Sequence, residues 1–284
     1  MLRQSPPADH FSHLLRAELS PGSHRIIISG YRLRGLSAEA MDARMVLLEH
    51  TTTAFDSELL ELSRRLSEMG GLVERQVAEA ITALTSGDRE RASHVVAADA
   101  AIDDMQRAIE ERGVEIIARR QPVAVDLRQV VSILRIALDL ERIGDLAKNI
   151  GKRVSVIDRE YLPRRAMGGV NHMVTLMLAQ LRDVLDCFAN RDAAGAIDVW
   201  ARDHDLDRLY TSLFRELLAE MMKHPGIITF CVHLLFCTKN IERMGDHTTN
   251  IAEAVYYMIE GHTLLQERPK ADNTAAVAIA TGAA

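Results

Sequence analysis

The sequence predicts an all-α protein built from two tandem three-helix bundles related by an internal repeat. Three observations carry this. From Thr53 onward apolar residues recur at three- and four-residue spacing in long runs with short breaks, the pattern of amphipathic helices. Aromatic residues are only 4% of the chain, while Ala, Leu, Arg and Glu abound, a composition that suits packed helices better than sheets. One polar string occurs twice, about a hundred residues apart, which is the signature of a duplicated unit.

Taken in order, the helices are expected near 55–86, 89–119, 123–157, 169–190, 193–222 and 227–260. The first pair is separated by Gly87-Asp88 and the second by Gln121-Pro122; the bundles are separated by the stretch 158–168, which contains Pro163. Asn190-Arg191-Asp192 and His224-Pro225-Gly226 supply the breaks of the second bundle. The domains are therefore a first bundle over 53–157, a linker over 158–168 and a second bundle over 169–261. Residues 1–52 read as a poorly ordered extension, because Ser5-Pro6-Pro7 and Ser20-Pro21-Gly22 interrupt any helix, with Met41 or Met45 as alternative starts. The Ala/Thr-rich stretch 262–284 reads as a disordered tail.

The repeat can be followed residue by residue. A shift of 104 superposes Met69 on Met173, Gln76 on Gln180, Asp88 on Asp192, Asp99 on Asp203 and Asp103 on Asp207. In the third helices a shift of 101 superposes Leu134, Glu141, Arg142, Gly144, Asp145, Asn149 and Ile150 on Leu235, Glu242, Arg243, Gly245, Asp246, Asn250 and Ile251.

Several function classes are disfavoured. The net charge of -6 argues against nucleic acid or an anionic membrane as the main partner. Cys187, Cys231 and Cys237 form neither a disulfide framework nor a zinc knuckle, which fits a reducing cytoplasm. The most apolar stretch, Gly226 to Cys237, is far shorter than the ~20 residues of a membrane span. A nucleotide-binding G-x-x-x-x-G-K-[ST] loop, H-E-x-x-H and G-x-S-x-G are all missing from the sequence, so the expectation is a protein that is not an enzyme.

Chemistry is concentrated in the repeated string E-R-x-G-D-x-x-x-N-I. Its four-residue spacing lines up Glu141, Asp145 and Asn149 in one copy and Glu242, Asp246 and Asn250 in the other. Measured against the apolar stripe of Ile133, Ile136, Leu140, Ile143 and Ala147, this row is expected on the outer face or flank of the bundle rather than in its core. Asp99 and Asp103, with their counterparts Asp203 and Asp207, form a second row on the neighbouring helix. Together these are hard, oxygen-only metal-ligand sets suited to Mg, Mn, Ca or ferric iron, with His204 and His247 as candidate nitrogen donors. A single E-x-x-x-D on a helix is ordinarily a solvated acidic face, steadied here by Arg142 and Arg243. The persistence of Glu, Asp and Asn in both copies favours a cation site, since hydrophobic periodicity alone would preserve the fold.

Gly144 and Gly245 are expected at close helix approaches. Trp200, Phe188 and Phe214 read as core, Met221 and Met222 as gap-fillers, and Arg119-Arg120 and Arg164-Arg165 as ordinary polar helix ends or linker.

These strings resemble the PhoU family, accessory proteins of high-affinity phosphate transport. Further family-like signals are Phe55-Asp56-x-Glu58-Leu59, Met69-Gly70-Gly71-Leu72-Val73-Glu74, Ala118-Arg119-Arg120-Gln121-Pro122 followed by Asp126-Leu127-Arg128, and Asp186-Cys187-Phe188, so the similarity covers roughly Glu49 to Gly261. The resemblance implies a two-bundle fold whose carboxylate pairs hold multinuclear clusters of iron or zinc on the bundle surface. It also implies a cytoplasmic negative regulator of the phosphate-starvation response and of uptake. Such a protein links the ATPase subunit of the phosphate ABC transporter to a sensor histidine kinase, reaching the membrane only through its partners and leaving a homodimer open. Two rivals remain: a di-metal carboxylate oxidase of ferritin-like type, which needs Glu-x-x-His pairs in a bundle core, and a metal-free helical scaffold.

Overall fold

A computed structural model of the chain describes residues 38–157, 164–265, 271 and 274, with side chains described from residue 54 onward except at 164 and 165. Among the described residues the α-helices are α1 Ala38–Ser86, α2 Arg89–Arg120, α3 Ala124–Val154, α4 Arg164–Asn190, α5 Ala193–Ala201, α6 Asp203–Lys223 and α7 Ile228–Glu260. A 3-10 turn, Pro225–Ile227, opens α7, with Pro225 at its first position. The first 53 residues and the stretch from Ala54 onward are separate units, and the packing that holds the helices together lies within the second.

The repeated Asp88 and Asp192 prove to be helix caps. Asp88 accepts the Arg91 backbone amide at 3.0 Å at the start of α2, and Asp192 accepts the Gly195 amide at 3.0 Å at the start of α5. Each satisfies a backbone donor that the first helical turn leaves without a partner. Gln121, at φ 49°, ends α2 in the left-handed conformation one residue before Pro122.

Three boundaries differ from the sequence expectation. The first helix begins at Ala38 rather than near 55, inside the stretch read as a poorly ordered extension; residues 1–37 lie outside the described residues. The fourth begins at Arg164 rather than 169, which shortens the expected linker, itself outside the described residues at 158–163. Of the expected tail, 262–265, 271 and 274 are described, and the Ala271 amide donates to Asp207 at 2.8 Å. The expected helix over 193–222 is divided at Arg202, which is neither Gly nor Pro. The Gln180 amide donates to the Arg202 carbonyl at 3.0 Å, and the Arg202 guanidinium pairs with Asp183 at 2.6 Å. Contacts from α4 thus fix the break, and they are invisible in a local pattern.

The third helices of the two repeats lie against one another at the centre. Arg135 of α3 lies over the Tyr257 ring of α7, Asp139 meets His247 and Asn250, and Arg153 sits over the Phe236 ring, so α3 and α7 run antiparallel. The first helices of the two repeats are likewise antiparallel: Glu74 of α1 pairs with Arg182 of α4, and a Cβ on Gly70 would meet Leu185 at 2.8 Å. One continuous apolar core therefore runs through both bundles, from Leu62, Leu66 and Met69 through Ile133, Ile136, Leu140 and Ile143 to Met173, Met177 and Leu234.

Trp200 and Phe188 are buried as expected, while Phe214 is half-buried. Met222 fills no gap: it is 72% exposed, and only Met221 packs against the core. Arg120 is more than a polar helix end, since its guanidinium grips Glu58 of α1 through two hydrogen bonds of 3.0 and 3.1 Å. The side chains of Arg164 and Arg165 lie outside the described residues.

Candidate functional site

The two acidic rows of each repeat come from adjacent helices, α2 with α3 and α6 with α7, and each pair packs directly. Burial is uneven across the rows, and Glu242, expected on the outer face or flank, is buried. Asp99, Asp203, Asp207 and Glu242 are 3–5% exposed, whereas Asn149 and Asn250 are exposed. The reason is register: Asp99 follows Ala92 and Val95 and precedes Ile102 on the buried stripe of α2, and Asp203 and Asp207 flank Leu206 on that of α6. Asp103, Glu141, Asp145 and Asp246 are half-buried at the rim.

The glycines of the motif allow this closeness. A Cβ on Gly144 would sit 3.0 Å from the Gln76 side-chain Oε1 and against Ile102, and one on Gly245 would collide with Leu206. Gln76 reaches across from α1, donating to both Asp99 and the Val95 carbonyl at 3.3 Å.

In the first cluster the Lys148 ammonium bridges Asp99 of α2 and Asp145 of α3. Burial alone would pull this ammonium down, but its two carboxylate partners outweigh burial and hold it above its ordinary value. Glu141 sits beside them with its carboxyl pushed up, first by burial and then by the charges of Asp145, Asp103 and Asp99, against the opposing Arg142. Its Oε2 atom is buried without a hydrogen bond, although Arg142 Nε lies 3.4 Å away.

In the second cluster Thr249 stands where the first has Lys148, and its hydroxyl donates to Asp203 at 3.1 Å. Glu242 pairs with Lys239 at 2.8 Å through Oε1, while its buried Oε2 has no hydrogen-bond partner. Burial pushes the Glu242 carboxyl up; Lys239 opposes this, and Asp246 and Asp207 add to it.

The remaining candidates have other roles. His204 places Nδ1 2.7 Å from the Ala201 carbonyl and Nε2 3.2 Å from Asp205. His247 Nδ1 lies 2.9 Å from Asp139 Oδ1, and the Asn250 amide donates to the same oxygen at 3.2 Å, so both tie α7 to α3 across the repeats. Sequence reasoning missed Lys148, Thr249, Lys239 and Asp139. Lys148 had a readable signal in its three-residue spacing from Asp145; Asp139 had none.

A family model described as PhoU domain matches residues 66–154 and again residues 170–255. The chain belongs to the PhoU family. It is 49% identical over 232 residues to a phosphate-specific transport system accessory protein PhoU homolog of Rhizobium meliloti (strain 1021), covering 82% of this chain and 98% of that one. A homolog of the same description from Caulobacter vibrioides (strain NA1000 / CB15N) is 43% identical, with 80% and 98% covered. Among solved structures, PhoU from Pseudomonas aeruginosa superposes with a TM-score of 0.70 at 39% identity, over 73% of this chain and 100% of that one. The phosphate transport system regulatory protein PhoU from Streptococcus pneumoniae gives 0.70 at 32%, over 75% and 100%.

Each PhoU match contains one carboxylate cluster, Asp99 to Asn149 in the first and Asp203 to Asn250 in the second. The donors suit a hard cation in kind: carboxylates crowd together, and Glu141 and Glu242 each hold a buried oxygen with no hydrogen-bond donor among the described residues. Among the described residues no three His, Cys, Asp or Glu side chains converge as a ligand set, so a cation would be held there only after side-chain rotation.

Proposed function

We propose that this chain is a regulatory accessory of a high-affinity phosphate transporter, repressing the phosphate-starvation response and restraining uptake when phosphate is plentiful. It acts as an adaptor between the ATPase subunit of the phosphate ABC transporter and a sensor histidine kinase, on the cytoplasmic side and without spanning the membrane. The observation that carries this reading is the PhoU match over both repeats, with relatives named as phosphate transport accessory or regulatory proteins. Among the described residues no helix is long and apolar enough to cross a membrane, consistent with attachment through partners. Ile228, Val232 and Phe236 stand 38–50% exposed at four-residue spacing on α7, the anchor pattern by which a helix face engages another protein.

The clusters are read as metal sites, with Asp203, Asp207, Glu242 and Asp246 holding the ion in the second repeat and Asp99, Asp103, Glu141 and Asp145 as the equivalent set in the first. Asn149 and Asn250 stand at the exposed rim. Iron or zinc is the expected metal by family resemblance, and the ion supplies positive charge that relieves carboxylate repulsion and cross-links neighbouring helices.

Restoring the gene to a deletion strain tests the role, with alkaline phosphatase or another starvation reporter read in high phosphate. Constitutive expression that the gene reverses is the expected result, and normal repression in the deletion strain would count against it. Replacing Asp145 and Asp246 together by Ala should lower the metal content of untagged protein while leaving its helical circular dichroism intact; unchanged metal content would remove the metal assignment.

A further inference from the structure

The two clusters descend from one pattern, yet the position after Ala147 carries Lys in the first repeat and its equivalent carries Thr249 in the second. In the first, the ammonium lies between the carboxylates of two different helices, Asp99 on α2 and Asp145 on α3, and the Lys148 side chain is half-buried there. Both partners belong to the proposed set of metal ligands. An ammonium in that place uses the carboxylate oxygens an incoming ion needs, and its charge repels the ion. In the second, among the described residues, Lys239 approaches from the other side of Glu242 along α7, is 39% exposed at its side chain, and leaves Glu242 Oε2 buried without a hydrogen bond, while the Ala271 amide donates to Asp207.

We propose that Lys148 is a built-in cation of the first carboxylate cluster. Its ammonium occupies the place of a metal ion between Asp99 and Asp145, so the second cluster is the one that loads. This rests on the proposed metal reading of the carboxylate clusters and narrows it to the second repeat. The first repeat is cross-linked by its own side chain whatever the metal supply, while the second depends on the supply, so only one half of the molecule answers to metal.

The test uses the full chain, stripped with chelator, reloaded with Zn2+ alone or Fe2+ alone under anaerobic conditions, desalted, and assayed by elemental mass spectrometry and calorimetric titration. Asp246→Asn, which disables the second cluster, should lose most of the bound metal. Adding Lys148→Thr, the residue the second repeat carries, should restore binding, with an affinity about 10- to 100-fold above that of Asp246→Asn alone. Lys148→Gln serves the same purpose should the threonine variant fold poorly, and Lys148→Arg, which keeps the charge, should restore nothing. The metal-free Lys148→Thr protein should unfold at a lower temperature than the parent and be raised by Zn2+.

Retention of half or more of the metal by Asp246→Asn would overturn the proposal and leave the metal reading standing. So would an absence of gain from both neutral variants, or an equal gain from Lys148→Arg. Folded parent protein that takes up neither metal would remove the metal reading and the proposal with it.

Discussion

Glu58 shows how a single side chain acquires a role from its surroundings. It lies near the start of the described side chains on α1, yet it receives two hydrogen bonds from Arg120 and lies 3.3 Å from Arg112, both at the far end of α2. The Arg120 hydrogen bond is the main cause that holds its carboxyl below the usual glutamate range, with the charges of Arg120, Arg112 and Arg119 adding to it against burial. A lowered folded value means that the native state binds the proton more weakly than the unfolded chain. The stabilisation is therefore present above the ordinary value of about 4.3 and is lost as pH falls through the folded value. Glu58→Gln should cost about 1 kcal/mol at pH 7, and the difference from the parent should vanish at acid pH. Urea unfolding at the two pH values checks this; a cost independent of pH would mean the carboxylate charge is not involved.

At the scale of the element, the caps are the most legible features. Asp88 and Asp192 superpose in the repeat by sequence alone, and each accepts an amide of the first turn of the helix it precedes. Asp192→Ala should lower stability by about 1 kcal/mol, while Asp192→Asn should lose little, since an amide oxygen accepts equally well. Thermal melts of the two variants distinguish a cap from a charge effect. The break at Arg202 is illegible, because the apolar periodicity continues through it and the cause is a hydrogen bond from Gln180 on another helix. The acidic rows are legible as rows but not as buried. Angles taken from one stripe of α3 do not show that Asp99 and Glu242 fall where two helices close over them.

For the molecule as a whole, the repeats are two by sequence and one by packing. Ile133, Leu140 and Ile143 of α3 and Leu234, Ile241 and Met244 of α7 belong to the same buried cluster, and α3 and α7 meet along their length. Loss of one bundle would bare the apolar face of the other, so the two should unfold together. Trp200 is the single tryptophan and lies in the second repeat, whereas far-UV circular dichroism reports both. The two signals should give coincident midpoints in urea; a fluorescence transition separated from the helical one would mean that the repeats unfold independently.

The sequence by itself determined the helical class, the duplication, the breaks at Gly87, Pro122 and Pro225, and the residues of both acidic rows. These follow from periodicity and from backbone chemistry that acts within a few positions. Only the tertiary structure decided how deeply the rows are buried, that α3 lies against α7, and that Lys148 rather than solvent faces Asp99. Such facts depend on which side chains from distant parts of the chain share one space, and a one-dimensional pattern holds no distance between Asp99 and Lys148.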